Sequence, residues 1–339
     1  MAEPIKQLKN PKYFYELAIS SSPHAHSPVT TQVIMRDVLI ALLPALVGSV
    51  CFFGLRALLV TLVSAAACVF FEWGYRKIMK KDSTVYDLSA VVTGVLLAFV
   101  CPVTIPYWMI IIGDFFAMIV VKQLFGGIGK NFVNPALAAR AFMFSWPVAM
   151  STWVKVGFEN AAGIFSTVDA VTAATPLAAM HAGSLEGVNV LDLFLGNVGG
   201  CLGETSALLL LIGGVYLVVR KVISPRIPLA FIGTVAVIAL LFPQGNNASE
   251  WMLASVCSGG VMLGAIFMAT DYVTSPITKA GQIIFGIGCG VITMVIRYFG
   301  AYNEGVSYAI LVMNACVVLL DMVGRPRKFG APKKEAAKK

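Results

Sequence analysis

Asp87-Leu-Ser-Ala-Val-Val-Thr93-Gly94-Val-Leu-Leu-Ala-Phe-Val-Cys101-Pro102 is an apolar run that stops too soon. A straight helix needs about 20 residues to cross a bilayer. This run is held between an aspartate and a helix-breaking proline, so an interrupted span is expected. A similar cast returns later: Ser255, Ser258-Gly259-Gly260, Gly264 and Thr270, with Pro276 following. One long apolar segment leads from Pro102 to Asn134-Pro135, and another leads from Pro276 to Asn314. With an odd number of spans in each half, such a repeat must be inverted across the membrane. Inverted repeats with interrupted spans recur in transporters, with sites where the repeats meet. The plain alternative is that glycine is common in membrane helices.

Composition sets the solvent. Of 339 residues, 58% are hydrophobic and 12% charged, with a mean hydropathy of +0.83; soluble chains carry about 25% charged residues. The fold class expected is all-α and polytopic, with about ten transmembrane helices forming two five-helix inverted repeats with interrupted spans. The spans are read near 38–54, 57–74, 88–101, 107–121, 135–150, 204–219, 227–243, 251–270, 281–299 and 305–322. The first 35 residues hold Lys6, Lys9 and Lys12 but no apolar core of a signal peptide, so the N-terminus is expected to remain.

Charge then orients the chain. With the N-terminus inside, ten spans leave 22 of the 25 Lys and Arg residues in cytoplasmic segments, and only Arg56, Lys155 and Arg297 outside. The net charge of +8 is therefore a topology signal rather than a nucleic-acid footprint. The organisation expected is a cytoplasmic segment 1–37, a membrane half 38–150, an outer-face loop 151–203, a second half 204–322 and a basic cytoplasmic tail 323–339.

The outer loop is the only long one, and near its middle stands Asp169-Ala-Val-Thr172-Ala-Ala174-Thr175-Pro176. Thr175 offers a hydroxyl, small alanines leave room around it, and Pro176 disfavours helix at the threonine. This D-x-x-T-x-A-T pattern resembles the flavinylation signal of membrane subunits shared by the Rnf complex and the sodium-pumping NADH:quinone oxidoreductase. The resemblance implies that a flavin transferase, acting outside the cytoplasmic membrane, joins FMN through its phosphate to Thr175. Asp169, Thr172 and Ala174 would complete the transferase's recognition motif.

A second stretch, Leu124-Phe-Gly126-Gly127-Ile-Gly129-Lys130-Asn-Phe-Val-Asn134-Pro135, has a backbone free to take positive φ. Asn134 is a good N-cap and Pro135 a natural first helical residue. The exposed N–H groups of that helix end would suit an anion or an electron-rich ring; a plain re-entrant turn is the simpler reading.

The resemblance to the D subunit of the Rnf complex extends over most of the chain. It is carried by Ser21-Ser-Pro-His24-Ala-His26-Ser27, Ile34-Met-Arg-Asp37-Val-Leu-Ile-Ala-Leu-Leu-Pro44, the segment 124–140, the Thr175 motif, Phe267-Met-Ala-Thr-Asp271-Tyr-Val-Thr-Ser-Pro276 and Tyr308-Ala-Ile-Leu-Val-Met-Asn314. It implies electron relay between ferredoxin and NAD coupled to Na⁺ or H⁺ movement. It also implies partner subunits that handle NADH and ferredoxin, and a second, non-covalent flavin, riboflavin, with Gly126, Gly127, Gly129 and Asn134 as candidates for its site.

Seven cysteines lie singly and three histidines form no set, so this chain alone is not expected to hold iron–sulfur clusters or zinc. Carboxylates in a bilayer are functional suspects by default. Asp114 falls within the fourth span, and Asp271 and Asp321 end the eighth and tenth. In the related sodium-pumping subunit, acidic residues matching Asp271 and Asp321 are implicated in ion uptake; interfacial residues paired with Lys279 or Arg325 are the simpler reading. Four functions stay open: an Rnf-type flavoprotein subunit, a component like the B subunit of the sodium-pumping enzyme, a non-redox small-solute transporter or channel, and a structural anchor that only holds redox subunits in the membrane.

Overall fold

The computed structural model describes residues 29–154, 175–181, 183, 189–245, 247–300 and 302–323, and among these it is helical with no strand. Helix α1 (Thr31–Phe53) is capped by Thr30, whose hydroxyl accepts from the Val33 N–H, and Gly54, with φ +79°, turns it straight into α2 (Leu55–Ile78). A short helix α3 (Ser89–Phe99) follows, then α4 (Tyr107–Phe115), which continues through wider π-type turns over Phe116–Gln123. The first half closes with α5 (Pro135–Met143) and the short α6 (Pro147–Met150).

Two short helices, α7 (Pro176–His181) and α8 (Val190–Leu195), lie in the connection to the second half. That half runs α9 (Ala207–Val219), α10 (Arg226–Leu241), α11 (Ala248–Cys257), α12 (Val261–Leu263, with π-type turns over Gly264–Met268), α13 (Lys279–Phe299), α14 (Val306–Ala315) and α15 (Val317–Met322).

Each of the ten expected segments holds a helix, and the expected interruptions are present. Helix α3 stops at Phe99, and the chain bends by 60° between α11 and α12. By length and apolar content, however, only α1, α2 and α13 among the described helices are each able to cross a bilayer, with the bent α11–α12 pair as a fourth. The other apolar helices, α3, α9, α10 and α14, are shorter.

Helix α2 packs on α3 and α4, α10 packs on α11 and α13, α1 packs on α9, and α5 meets α14. Along α13, Ile283, Ile287, Val291 and Val295 are exposed while Gly286, Cys289, Gly290 and Thr293 are buried, as two faces of one helix should be. In lipid the hydrophobic effect gives little preference for helix–helix contact, so close packing and buried polar pairs must hold the bundle. Among the described residues the ion pairs are Lys122–Glu72 (3.3 Å), Arg220–Asp37 (3.1 Å), Arg140–Glu204 (3.3 Å) and Arg140–Glu304.

Candidate functional site

Thr175 stands immediately before α7, with Pro176 as the first helical residue, so the proline does hold the threonine out of the helix. The Thr175 hydroxyl oxygen accepts from the Ala178 N–H at 3.2 Å, an N-cap contact. It lies on the wall of a cavity of about 260 Å³ that is also lined by Phe144, Trp153, Leu177, Leu193 and Tyr302. Phe144, Tyr302 and Tyr308 form an aromatic cluster, with ring centroids 5.4–6.2 Å apart. Two carboxylates, Glu204 and Glu304, complete the lining. Asp169, Thr172 and Ala174 lie outside the described residues.

The two carboxylates are fixed from behind. Arg140, buried on α5, donates from Nη1 to Glu304 at 2.6 Å, to Ser307 at 3.0 Å and to Glu204 at 3.3 Å, and from Nη2 to Glu304. Positive-charge counting puts Arg140 in a cytoplasmic segment; instead it is 2% exposed and serves the Thr175 end of the bundle. Arg297 has a matching role at the break in the bent span. Its guanidinium donates to the carbonyls of Ser255 (2.6 Å), Ser258 (3.1 Å), Gly259 (3.0 Å) and Glu304 (3.2 Å).

The end of α11 leaves carbonyls without helical partners, and Arg297 satisfies them with the charge that a helix C-terminus favours. At Gly260, where α12 begins, the nearest side chains are Glu304 and Glu204, the charge that a helix N-terminus favours. Sequence reading missed Glu204, Glu304 and Arg297 as a site. Their signal was present in a basic residue left among outside positions and acidic residues beside glycine breaks.

A second cavity, about 90 Å³, lies at the other end of α12 and of α5. It is lined by Ser89, Thr93, Lys122, Asn131, Asn134 and Asp271, among others. The glycine loop beside it behaves as expected, with φ of +113° at Gly126, +94° at Gly127 and +86° at Gly129. Asn134 caps α5, accepting from the N–H of Ala136 (3.0 Å) and Leu137 (3.4 Å), and its amide donates to Met268 at 3.3 Å. With its amide oriented to satisfy its neighbours, Asn314 accepts from the Asn134 N–H at 3.2 Å and donates to Thr274 at 3.0 Å. The two asparagines therefore tie the halves together at this end.

The suspected carboxylates separate. Asp271, half-buried in the turn after α12, accepts from the Thr274 hydroxyl (3.2 Å) and Val273 N–H (3.4 Å). Burial pushes its carboxyl above the ordinary aspartate range, against those two donors. Asp321 accepts from the N–H groups of Ile277 (2.8 Å) and Thr278 (3.2 Å), at the start of α13. Among the described residues neither is in an ion pair, so Lys279 is not the partner of either; Arg325 lies outside them. Asp114 is fully buried on α4, away from both cavities.

Three known proteins similar to this chain are each named as the D subunit of an ion-translocating oxidoreductase complex. The family described as "NQR2, RnfD, RnfE family" matches residues 18–330. The chain is 48% identical over 321 residues to the D subunit of the Na⁺-translocating ferredoxin:NAD⁺ oxidoreductase complex of Acetobacterium woodii, covering 94% of this chain and 96% of that relative. It is 42% identical to the D subunit of the proton-translocating ferredoxin:NAD⁺ oxidoreductase complex of Clostridium ljungdahlii, with 92% and 96% covered. The D subunit of the ion-translocating oxidoreductase complex of Stutzerimonas stutzeri is 38% identical, with 88% and 91% covered.

Proposed function

The chain belongs to the NQR2, RnfD, RnfE family, and from that premise we propose that it is the membrane flavoprotein D subunit of an Rnf-type ferredoxin:NAD oxidoreductase, carrying FMN on Thr175. The observation that carries this reading is the Thr175 hydroxyl on the wall of an aromatic-lined cavity of about 260 Å³, close to the lower end of the roughly 300–1,000 Å³ typical of ligand pockets.

The residues suit the group. Thr175 Oγ would hold the phosphate. Its contact with Ala178 uses a lone pair and leaves the hydroxyl proton free to depart on phosphoester formation. Leu177, Leu193, Phe144, Trp153 and Tyr302 offer apolar and aromatic walls to a ring system. When bound, FMN supplies one- and two-electron chemistry. Arg140 anchors Glu204 and Glu304, which keeps two carboxylates in the cavity wall and limits where an anionic phosphate can rest.

Riboflavin against Gly126, Gly127, Gly129 and Asn134 stays an expectation from the family; the adjoining space, about 90 Å³, is lined by Asn134 but by none of those glycines. It fits water or a bare cation near Asp271.

The two ends of the bundle differ in charge. The Thr175 cavity end holds the buried Arg140 and Arg297, while Arg76, Lys77, Lys122, Arg220 and Lys279 stand at helix ends opposite it. The positive-inside rule then puts those ends and both termini in the cytoplasm and the flavin outside. Neither a role like that of the sodium-pumping enzyme's B subunit nor solute transport has comparable support, because the three relatives named are all D subunits. The relatives' names include both Na⁺ and proton translocation, so the coupling ion does not follow from kinship. The deciding experiment is fluorescence of the denatured protein band under ultraviolet light, in the wild type and in Thr175→Val.

A further inference from the structure

We infer that Asp114 is an exchangeable proton-binding site in the membrane interior, occupied by a proton rather than by a metal cation. The inference rests on the chain's place in an ion-translocating complex but not on the flavin assignment.

Counting hydrogens decides the charge state. Asp114 is 0% exposed. Its Oδ1 lies 2.7 Å from Ser64 Oγ and 3.2 Å from Cys68 Sγ, and its Oδ2 has no partner among the described residues. Ser64 Oγ also lies 2.8 Å from the Gly94 carbonyl. A hydroxyl has one proton, so Ser64 cannot donate to both oxygens. If Asp114 is ionised, either the Gly94 contact or the Ser64–Asp114 contact is left without a hydrogen. If Asp114 carries a proton on Oδ1, every short contact has one. Asp114 donates to Ser64, Ser64 donates to Gly94, and Cys68 donates to Asp114. The unpartnered Oδ2 is then a neutral carbonyl oxygen, which costs far less to bury than a bare carboxylate.

Packing makes the site specific. A Cβ at Gly94 would lie 2.7 Å from the Ala65 backbone and 2.8 Å from the Ser64 carbonyl, so only glycine lets α3 come close enough for Ser64 to bridge both helices. Ser64, Cys68 and Glu72 recur every four residues and form one stripe along α2. The charges nearest to that stripe neutralise each other, since Lys122 is held by Glu72 at 3.3 Å and by Ser89 at 2.8 Å. Cys68 on α2 and Cys101 beyond α3 are the other titratable groups around Asp114.

Among the described residues no cation stands against the carboxyl to favour its charged form. A hard metal ion takes about six oxygen ligands, and this pocket supplies one carboxyl, one hydroxyl and one carbonyl. A proton needs only two of these.

The test is infrared spectroscopy of the complete complex in membranes, comparing wild type with Asp114→Asn. The wild type should show a protonated-carboxyl C=O band that is lost in the variant, shifts on transfer to D₂O and keeps its intensity as Na⁺ is raised. Ser64→Ala, which keeps the carboxyl, should move the band to higher frequency, and this variant serves if Asp114→Asn fails to assemble. An Asp114-dependent band that ignored D₂O would make the group a sealed structural acid and overturn the inference. So would a band that disappeared with Na⁺, or no such band at all. Flavin fluorescence on Thr175, followed in the same samples, fails or survives independently.

Discussion

Arg140 and Glu304, 164 residues apart in the chain, meet in a bidentate ion pair that joins α5 to the loop after α13. The same guanidinium reaches Glu204, ahead of α9, so one buried side chain fixes two carboxylates of the Thr175 cavity and three segments of the fold.

Removing one partner of a buried pair costs about 3–5 kcal/mol because the other charge is left uncompensated. Arg140→Met should therefore lower the amount of assembled complex sharply, and any complex that forms should melt at a lower temperature. Arg140→Lys should recover little, since an ammonium cannot make the two-pronged contact. Thermal unfolding of the purified complex, followed alongside flavin content, checks this.

Asp321 and Asp271 should respond differently to the same change. Asp321 accepts from two backbone N–H groups at the start of α13, and an asparagine side chain retains an acceptor oxygen for that role. Asp321→Asn should thus keep assembly and most ion-dependent turnover, and Asp321→Ala should destabilise by about 1 kcal/mol. Asp271 faces the smaller cavity, so Asp271→Asn should spare assembly and raise the cation concentration needed for half-maximal turnover. Turnover in inverted vesicles against graded Na⁺ separates the two. Equal loss in both would return Asp321 to the ion path.

The pH dependence at Asp271 has a definite sign. A cation needs the carboxylate, and burial raises this carboxyl above the ordinary aspartate range. Apparent cation affinity should therefore fall with decreasing pH sooner than an exposed aspartate would cause. Asp271→Asn should remove that part of the profile, measured as half-saturating Na⁺ at a series of pH values.

Sidedness is testable by labelling. A cysteine at Ser184 should react with an impermeant reagent added outside, and one at Ala337 should not. The reverse pattern would place the Thr175 cavity in the cytoplasm.

The helical character and the interruptions were legible because glycine, proline and polar residues punctuate apolar runs, as they do at 87–102 and at Ser258–Gly260. The glycine loop and the Asn134 cap were legible because only a few residue types suit positive φ or an exposed helix N-terminus. What could not be read was pairing across the bundle. Charge counting treats Arg140 as a loop residue, whereas its partners Glu204 and Glu304 come from distant segments that only the fold brings together. Likewise, the spacing of Ser64, Cys68 and Glu72 is visible along α2, but that Asp114 sits against the first two depends on the approach of α2 and α4.

A flavin on Thr175 is read from the intact mass of the purified protein. Wild type should exceed its polypeptide mass by one FMN less the water lost on phosphoester formation, and its denatured band should fluoresce. Thr175→Val should show the bare polypeptide mass and a dark band, with the protein still in the membrane. An undiminished flavin mass in Thr175→Val, or a wild-type chain at bare polypeptide mass, would rule out the Thr175 linkage.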